Sequence, residues 1–170
     1  MGVADHHHAG ERITPRCAIV TLSDTRTPAT DTSGQASRRL LEEDGCAISD
    51  YALLPDDPAR IIDRLKHLLT NPSVDAIICN GGTGIAKRDQ TIDAIARLIE
   101  TPLPGFGELF RMLSYEQIGA AAMLSRAVGG VCGGKILFAL PGSTKAVELG
   151  MKKLIIPELR HILAELRKST

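Results

Sequence analysis

The stretch that most restricts what this chain can fold into is Val74–Asp93, VDAIICNGGTGIAKRDQTID, where a short apolar run gives way to glycines and then to a helical pattern. Val74–Cys79 reads as a buried β-strand, and Asn80-Gly81-Gly82-Thr83-Gly84 supplies the turn that follows it. Glycine takes positive φ at little cost, so successive N–H groups of such a turn can aim at one point. Ahead of a helix N-terminus they form a cradle for an anion, with phosphate the expected guest. The loop is not a Walker A motif, because Lys87 is not preceded by Gly and is followed by Arg88. Nor is it a dinucleotide fingerprint, because Lys87 stands where the third glycine belongs. A tight corner that binds nothing is the competing reading of the same glycines.

The remaining letters narrow the partners. Lys plus Arg equals Asp plus Glu, 20 against 20, so no basic excess would hold a nucleic-acid backbone. No Trp, two Tyr and three Phe leave no base-stacking platform, and DNA or RNA is not an expected partner. Apolar residues make up 44% of 170 positions, enough to bury a real core, and no linker divides a single domain over residues 15–170. Residues 1–14, polar and containing His6-His7-His8, are expected to be a disordered tail. Cys17, Cys46, Cys79 and Cys132 lack the paired spacing of zinc or redox sites and are expected as small buried hydrophobes in a reducing compartment. No stretch could span a bilayer and none resembles a signal peptide, so a cytoplasmic protein without a membrane partner is expected.

Along the chain, Arg16–Leu22 reads as a first strand running into Ser23-Asp24-Thr25, and Asp31-Thr32-Ser33-Gly34 caps a helix carrying Ala36, Leu40 and Leu41. Cys46–Leu54 is a second strand ending at Pro55-Asp56-Asp57-Pro58, and Ile61, Ile62, Leu65, Leu68 and Leu69 mark one face of a helix. With Val74–Cys79 this makes strands alternating with helices, hence an α/β fold with a mostly parallel sheet covered on both faces. Thr91–Ile99 is expected as helix, Thr101–Gly105 as a break, and Phe106–Gln117 as a helix with Phe106, Leu109, Phe110 and Leu113 on one side. Val128–Lys135 is expected to form a β-hairpin, glycines at its turn, leading into a last buried strand, Ile136–Leu140. Pro141-Gly142-Ser143-Thr144 then caps a helix over Lys145–Leu154, and Pro157–Lys168 closes the chain as another.

Right-handed connections put the carboxyl ends of parallel strands on one edge, where ligands bind. The loops at Ser23-Asp24, Asp56, Gly81–Gly84 and Pro141-Gly142-Ser143 should therefore line one crevice. Two cradles, at Gly81–Gly84 and Gly142-Ser143, suit a ligand with more than one anionic group, although Gly142-Ser143-Thr144 by itself reads as a plain helix cap. Carboxylates beside phosphates call for a bridging cation. Asp56 and Asp89 are the candidate Mg²⁺ ligands, with a cap or turn role competing for Asp56; Asp57 and Asp93 suit a helix cap and a first-turn acid. Arg126 and Lys145 are candidate anion contacts, and no nucleophilic triad or dyad is readable.

These motifs, in this order, resemble the MoaB/Mog family of molybdenum cofactor biosynthesis. The resemblance rests on Gly81-Gly82-Thr83-Gly84 followed by Arg88-Asp89, Pro104–Glu108, Ser125-Arg126 and Pro141-Gly142-Ser143; Asp31–Gly34 and Phe110–Ser114 are similar to the MoaB branch. It implies a three-layer αβα sandwich assembled as a trimer or hexamer, binding molybdopterin. It further implies Mg-ATP-dependent adenylylation of molybdopterin with release of pyrophosphate, or, as the alternative, molybdopterin binding without that activity. By motif, Asp56 and Asp89 become the catalytic acids that hold Mg²⁺. Ser23, Asp24, Gly81, Gly82, Thr83, Gly84, Ser114, Ser125, Arg126, Pro141, Gly142, Ser143 and Lys145 become substrate-binding positions for molybdopterin or ATP. Some MoaB-branch proteins lack one or both acids, whereas this chain keeps both; Lys87, where Pro or Arg is frequent, is its one departure.

Overall fold

The computed structural model describes residues 13–85 and 90–168. Six strands form one sheet: β1 (Arg16–Leu22), β2 (Ala47–Leu54), β3 (Ala76–Asn80), β4 (Thr101–Pro102), β5 (Val128–Cys132) and β6 (Lys135–Leu140). Their spatial order is β2-β1-β3-β6-β5-β4. The first four of that order run parallel, while β5 and β4 are antiparallel additions at one edge.

Side-chain alternation sorts the sheet into two cores. Cys17, Ile19, Ala76, Ile78, Ile136, Phe138 and Leu140 point to one face. There they meet α1 (Thr32–Glu43), α4 (Pro104–Ile118), α5 (Thr144–Gly150) and α6 (Ile156–Lys168). Ala18, Val20, Ile77, Cys79, Leu137 and Ala139 point to the other, under α2 (Pro58–Thr70) and α3 (Thr91–Leu98). The result is the three-layer αβα sandwich expected from the run of strands and helices. All four cysteines are free and buried, as their apolar settings imply. Among the described residues no helix is long and apolar enough to cross a membrane.

Four local readings need correction. Thr101–Gly105 is more than a break: Thr101 and Pro102 pair with Val131 and Gly130 as an edge strand, where proline's missing N–H costs no ladder bond. Only Gly133 and Gly134, at φ 56° and 70°, form the hairpin turn. Gly129 lies within β5, where a Cβ would meet the Phe138 ring at 2.7 Å. Leu109 is 46% exposed beside Met112 and not on the buried side of α4, which carries Phe106, Phe110 and Ser114. Finally, α5 and α6 are joined without a break by a π-helical turn over Met151–Ile155, whose altered register accommodates Pro157 near the start of α6.

Candidate functional site at the switch point of the sheet

After β1 the chain moves outward to β2, then crosses back to lay β3 on the opposite side of β1. Connections leaving two neighbouring parallel strands in opposite directions open a crevice at their carboxyl ends, and here that point lies between β1 and β3. The loops that emerge there are Ser23–Asp24 and Gly81–Gly84.

Gly81 has φ 109° and Gly82 φ 65°. A Cβ on Gly81 would fall on the carbonyl oxygen of Leu22, so only glycine passes this close to the end of β1. Gly81 N donates to Leu140 O at 2.9 Å, and a Cβ on Gly142 would sit 3.2 Å from Gly81 Cα, which brings the loop after β6 alongside. The loop after β2 arrives from the other side. Asp24 Oδ1 accepts from Asp56 N at 2.9 Å, and Asp56 Oδ1 accepts from Thr91 Oγ1 at 2.5 Å. The same Asp56 oxygen would lie 3.2 Å from a Cβ on Gly82, so the carboxylate is set directly against the glycine loop. Asp57, next along, caps α2 by accepting from Ala59 N and Arg60 N.

Arg126 reaches in from the segment after the 3₁₀ turn Gly119–Leu124, donating through Nη1 to Gly84 O at 3.1 Å while Nη2 pairs with Asp93. Ser125 beside it lines a cavity of about 260 Å³ together with Ile92, Arg111 and Met123. Its Oγ is buried without a hydrogen-bond partner among the described residues.

Beneath the loops lies a polar floor that the sequence reading missed. Arg26 Nη1 pairs with Asp31 and donates to Ser33, while Nη2 donates to Gly142 O at 2.7 Å. Asp31, fully buried, also accepts from Gly34 N and from the Tyr51 hydroxyl. Asn80 Nδ2 donates to Ser33 Oγ at 2.8 Å and to Thr21 Oγ1 at 3.1 Å. Burial pushes the Asp31 carboxyl up, but hydrogen bonds from Thr21, Tyr51, Gly34 and Ser33 outweigh it, and the group titrates below the ordinary carboxylate range. Tyr51, half-buried and donating to that carboxylate, is pushed up to about 12 by desolvation and by that bond. In the sequence Asp31 read as a helix cap within the Asp31–Gly34 motif; its role as a hub depends on Arg26 and Tyr51, which local patterns do not connect to it.

The expected residues are thus largely gathered: Ser23, Asp24, Asp56, Gly81, Gly82, Thr83, Gly84, Ser125, Arg126, Pro141, Gly142 and Ser143 belong to segments meeting at this edge. Ser143 caps α5 by accepting from Ala146 N, the plain role weighed for it. Ser114 is buried on α4 and joins none of these contacts. Lys145 lines a different cavity, with Gln117, Glu148 and Lys152. Asp89, with the neighbouring Lys87 and Arg88, lies outside the described residues. Among the described residues, no three His, Cys, Asp or Glu cluster to hold a metal unaided.

Fold and loops together define an open α/β protein whose polar strand-end loops gather at one switch point. Residues 18–161 match the family model described as "Probable molybdopterin binding domain". The chain is 48% identical over 169 residues to the molybdenum cofactor biosynthesis protein B of Bacillus cereus, covering 99% of each. A crystal structure of a molybdenum cofactor biosynthesis protein B is similar with TM-score 0.89 and 50% identity, over 92% of this chain and 98% of that one. The tungsten cofactor synthesizing protein MoaB from Pyrococcus furiosus is similar with TM-score 0.81 and 34% identity, over 91% and 98%. The chain belongs to the MoaB/Mog family of molybdenum cofactor biosynthesis proteins.

Proposed function

We propose that this protein binds molybdopterin at the switch-point crevice and adenylylates it with ATP. The observation that carries the reading is the Asp56 carboxylate held against Gly82, an acid at the mouth of an anion cradle. In the reaction, a terminal phosphate oxygen of molybdopterin attacks the α-phosphorus of ATP. A P–O bond forms there, the bond to the bridging oxygen breaks, and pyrophosphate leaves with the electron pair. The attacking group is already an oxyanion, so the protein needs no covalent nucleophile; alignment and charge neutralisation do the catalysis.

Each part of the crevice has a task in that scheme. The N–H groups of Gly82–Gly84 receive phosphate oxygens while Gly81 N–H stays bonded to Leu140 O, Arg126 adds positive charge beside them, and Ser125 lines the adjoining cavity. Magnesium, held by Asp56 with Asp89, would supply neutralisation of the triphosphate, and hard carboxylate oxygens suit that ion. Arg26 fixes the loop bearing Gly142, so the two cradles keep their spacing.

The protein works as a homo-oligomer, trimer or hexamer. Support comes from α4 and the 3₁₀ turn, where Leu109, Met112, Tyr115, Ile118, Met123 and Leu124 are all exposed, an apolar face that another copy would cover.

Purified protein supplied with molybdopterin and Mg-ATP should release pyrophosphate, and Asp89→Ala should abolish release while leaving pterin binding largely intact. Tight molybdopterin binding with no pyrophosphate from the native protein would instead establish the binding-only alternative. Equal turnover by Asp89→Ala would refute the acid assignment.

A further inference from the structure

We propose a second anion site, at the opposite end of the sheet, that takes a small polyvalent oxyanion of phosphate size. It is independent of the crevice described above. The amino ends of β1, β3 and β6 meet there beside the last turns of α6, around a cavity of about 200 Å³ lined by Arg16, Asp75, Lys135 and Arg167, with the Gly133-Gly134 turn at its rim.

The charges do not balance. Asp75 is the one carboxylate among the described lining residues, and it is already gripped by Arg16, through Nε at 2.9 Å and Nη2 at 2.8 Å, with Arg16 N adding a third bond at 2.9 Å. Arg167 lies 3.5 Å from the same carboxylate. Lys135 points its ammonium at the carbonyls of Asn71, at 2.6 Å, and Val74. Those carbonyls hold the ammonium in place without neutralising it, and two of its three hydrogens are used. Glu100, near the rim, is drawn off to Gly133 N at 3.3 Å. Among the described residues, three cations therefore share one carboxylate around the recess, which leaves a local excess of positive charge.

Each feature matches what a polyvalent oxyanion needs. Arg16 and Lys135 are fixed by bonds that do not use up their whole donor capacity, and Arg167 brings a planar fork from a helix end. Asp75 serves as the clamp that orients Arg16, neutralised by it and so a weak repellent to a second anion. Burial lowers the Lys135 pKa, the response of an ammonium without a full counter-charge.

The test is a titration of the full-length protein with inorganic phosphate, at constant ionic strength set with sodium chloride, followed by ¹⁵N amide spectra. Saturable shifts are expected at Gly133, Gly134 and Lys135, with affinity lowered about tenfold by Arg167→Gln. The double variant Lys135→Met with Arg167→Gln should lose them altogether. Arg167 is half-exposed, so the single variant should fold normally and keeps the test decisive if the double variant does not. Unchanged affinity in Arg167→Gln, shifts that fail to saturate, or equal shifts with chloride alone would overturn the site. Gly81–Gly84 amides report the crevice separately in the same spectra, so failure at one edge is distinguishable from failure at the other.

Discussion

Arg26 Nη2 donates to the carbonyl oxygen of Gly142 at 2.7 Å, tying the loop after β1 to the loop after β6 across 116 residues of sequence. The same guanidinium pairs with buried Asp31, so the tie is anchored to the helix α1 that floors the crevice. Arg26→Gln should loosen the Gly142 loop without unfolding the protein. Amide exchange at residues 142–144 should accelerate roughly tenfold, corresponding to about 1.4 kcal/mol for the lost charge-assisted bond to Gly142; unchanged exchange would show that the tie contributes nothing.

Gly81→Ala should be among the most damaging single-methyl changes in the chain. The added Cβ would meet backbone at Leu22 and sit at a φ that L side chains rarely adopt. A loss of about 2–4 kcal/mol in urea denaturation is expected. Gly105→Ala, with open space around its Cβ, is the control and should be within about 0.5 kcal/mol of native.

The Asp31–Tyr51 pair predicts how stability depends on pH at both extremes. Asp31 is held below its ordinary value of 3.8, so its contribution is complete above that value and is lost as pH falls through the depressed folded value. Tyr51 is raised from 10.0 to about 12, so its contribution is complete below 10.0 and disappears as pH rises towards 12. Tyr51→Phe should cost about 1–2 kcal/mol near neutrality and flatten the alkaline limb of a melting-temperature profile. Retention of that limb would assign it to another group.

Charge placed on the exposed face of α4 should change assembly more than folding. Met112→Glu and Tyr115→Glu point away from the core, with Tyr115 64% exposed. Light scattering after size exclusion should show the variants shifted to monomer, their circular dichroism unchanged. A native-sized oligomer in both would exclude this face as the contact.

How much of this could be read from the letters alone follows from how local each cause is. The first strand, Arg16–Leu22, has the expected bounds because Pro15 and Ser23-Asp24 punctuate an uninterrupted buried run. Gly133-Gly134 was readable because two glycines between apolar runs have one common use. Asp56 against Gly82 was foreseeable as convergence on one edge of a parallel sheet. The edge strand Thr101–Pro102 was not, since two residues carry no periodicity and pairing with β5 defines them. Gly129 looked like turn chemistry until Phe138 occupied the space its side chain would need. Nothing near Asp31 in sequence announces Tyr51, because a bond between a helix cap and the next strand is made by tertiary packing.

The hydrogen bond from Gly81 to Leu140 has a consequence for biosynthesis on the ribosome. The glycine turn is made early, but its partner carbonyl and the Gly142 loop emerge roughly sixty residues later, after the hairpin has reversed direction. Until then the half-made crevice has one wall, and a nascent chain stalled before β6 would hold the glycine turn without the strand that fixes it. The crevice is therefore completed near the end of translation, as one of the last long-range closures to form.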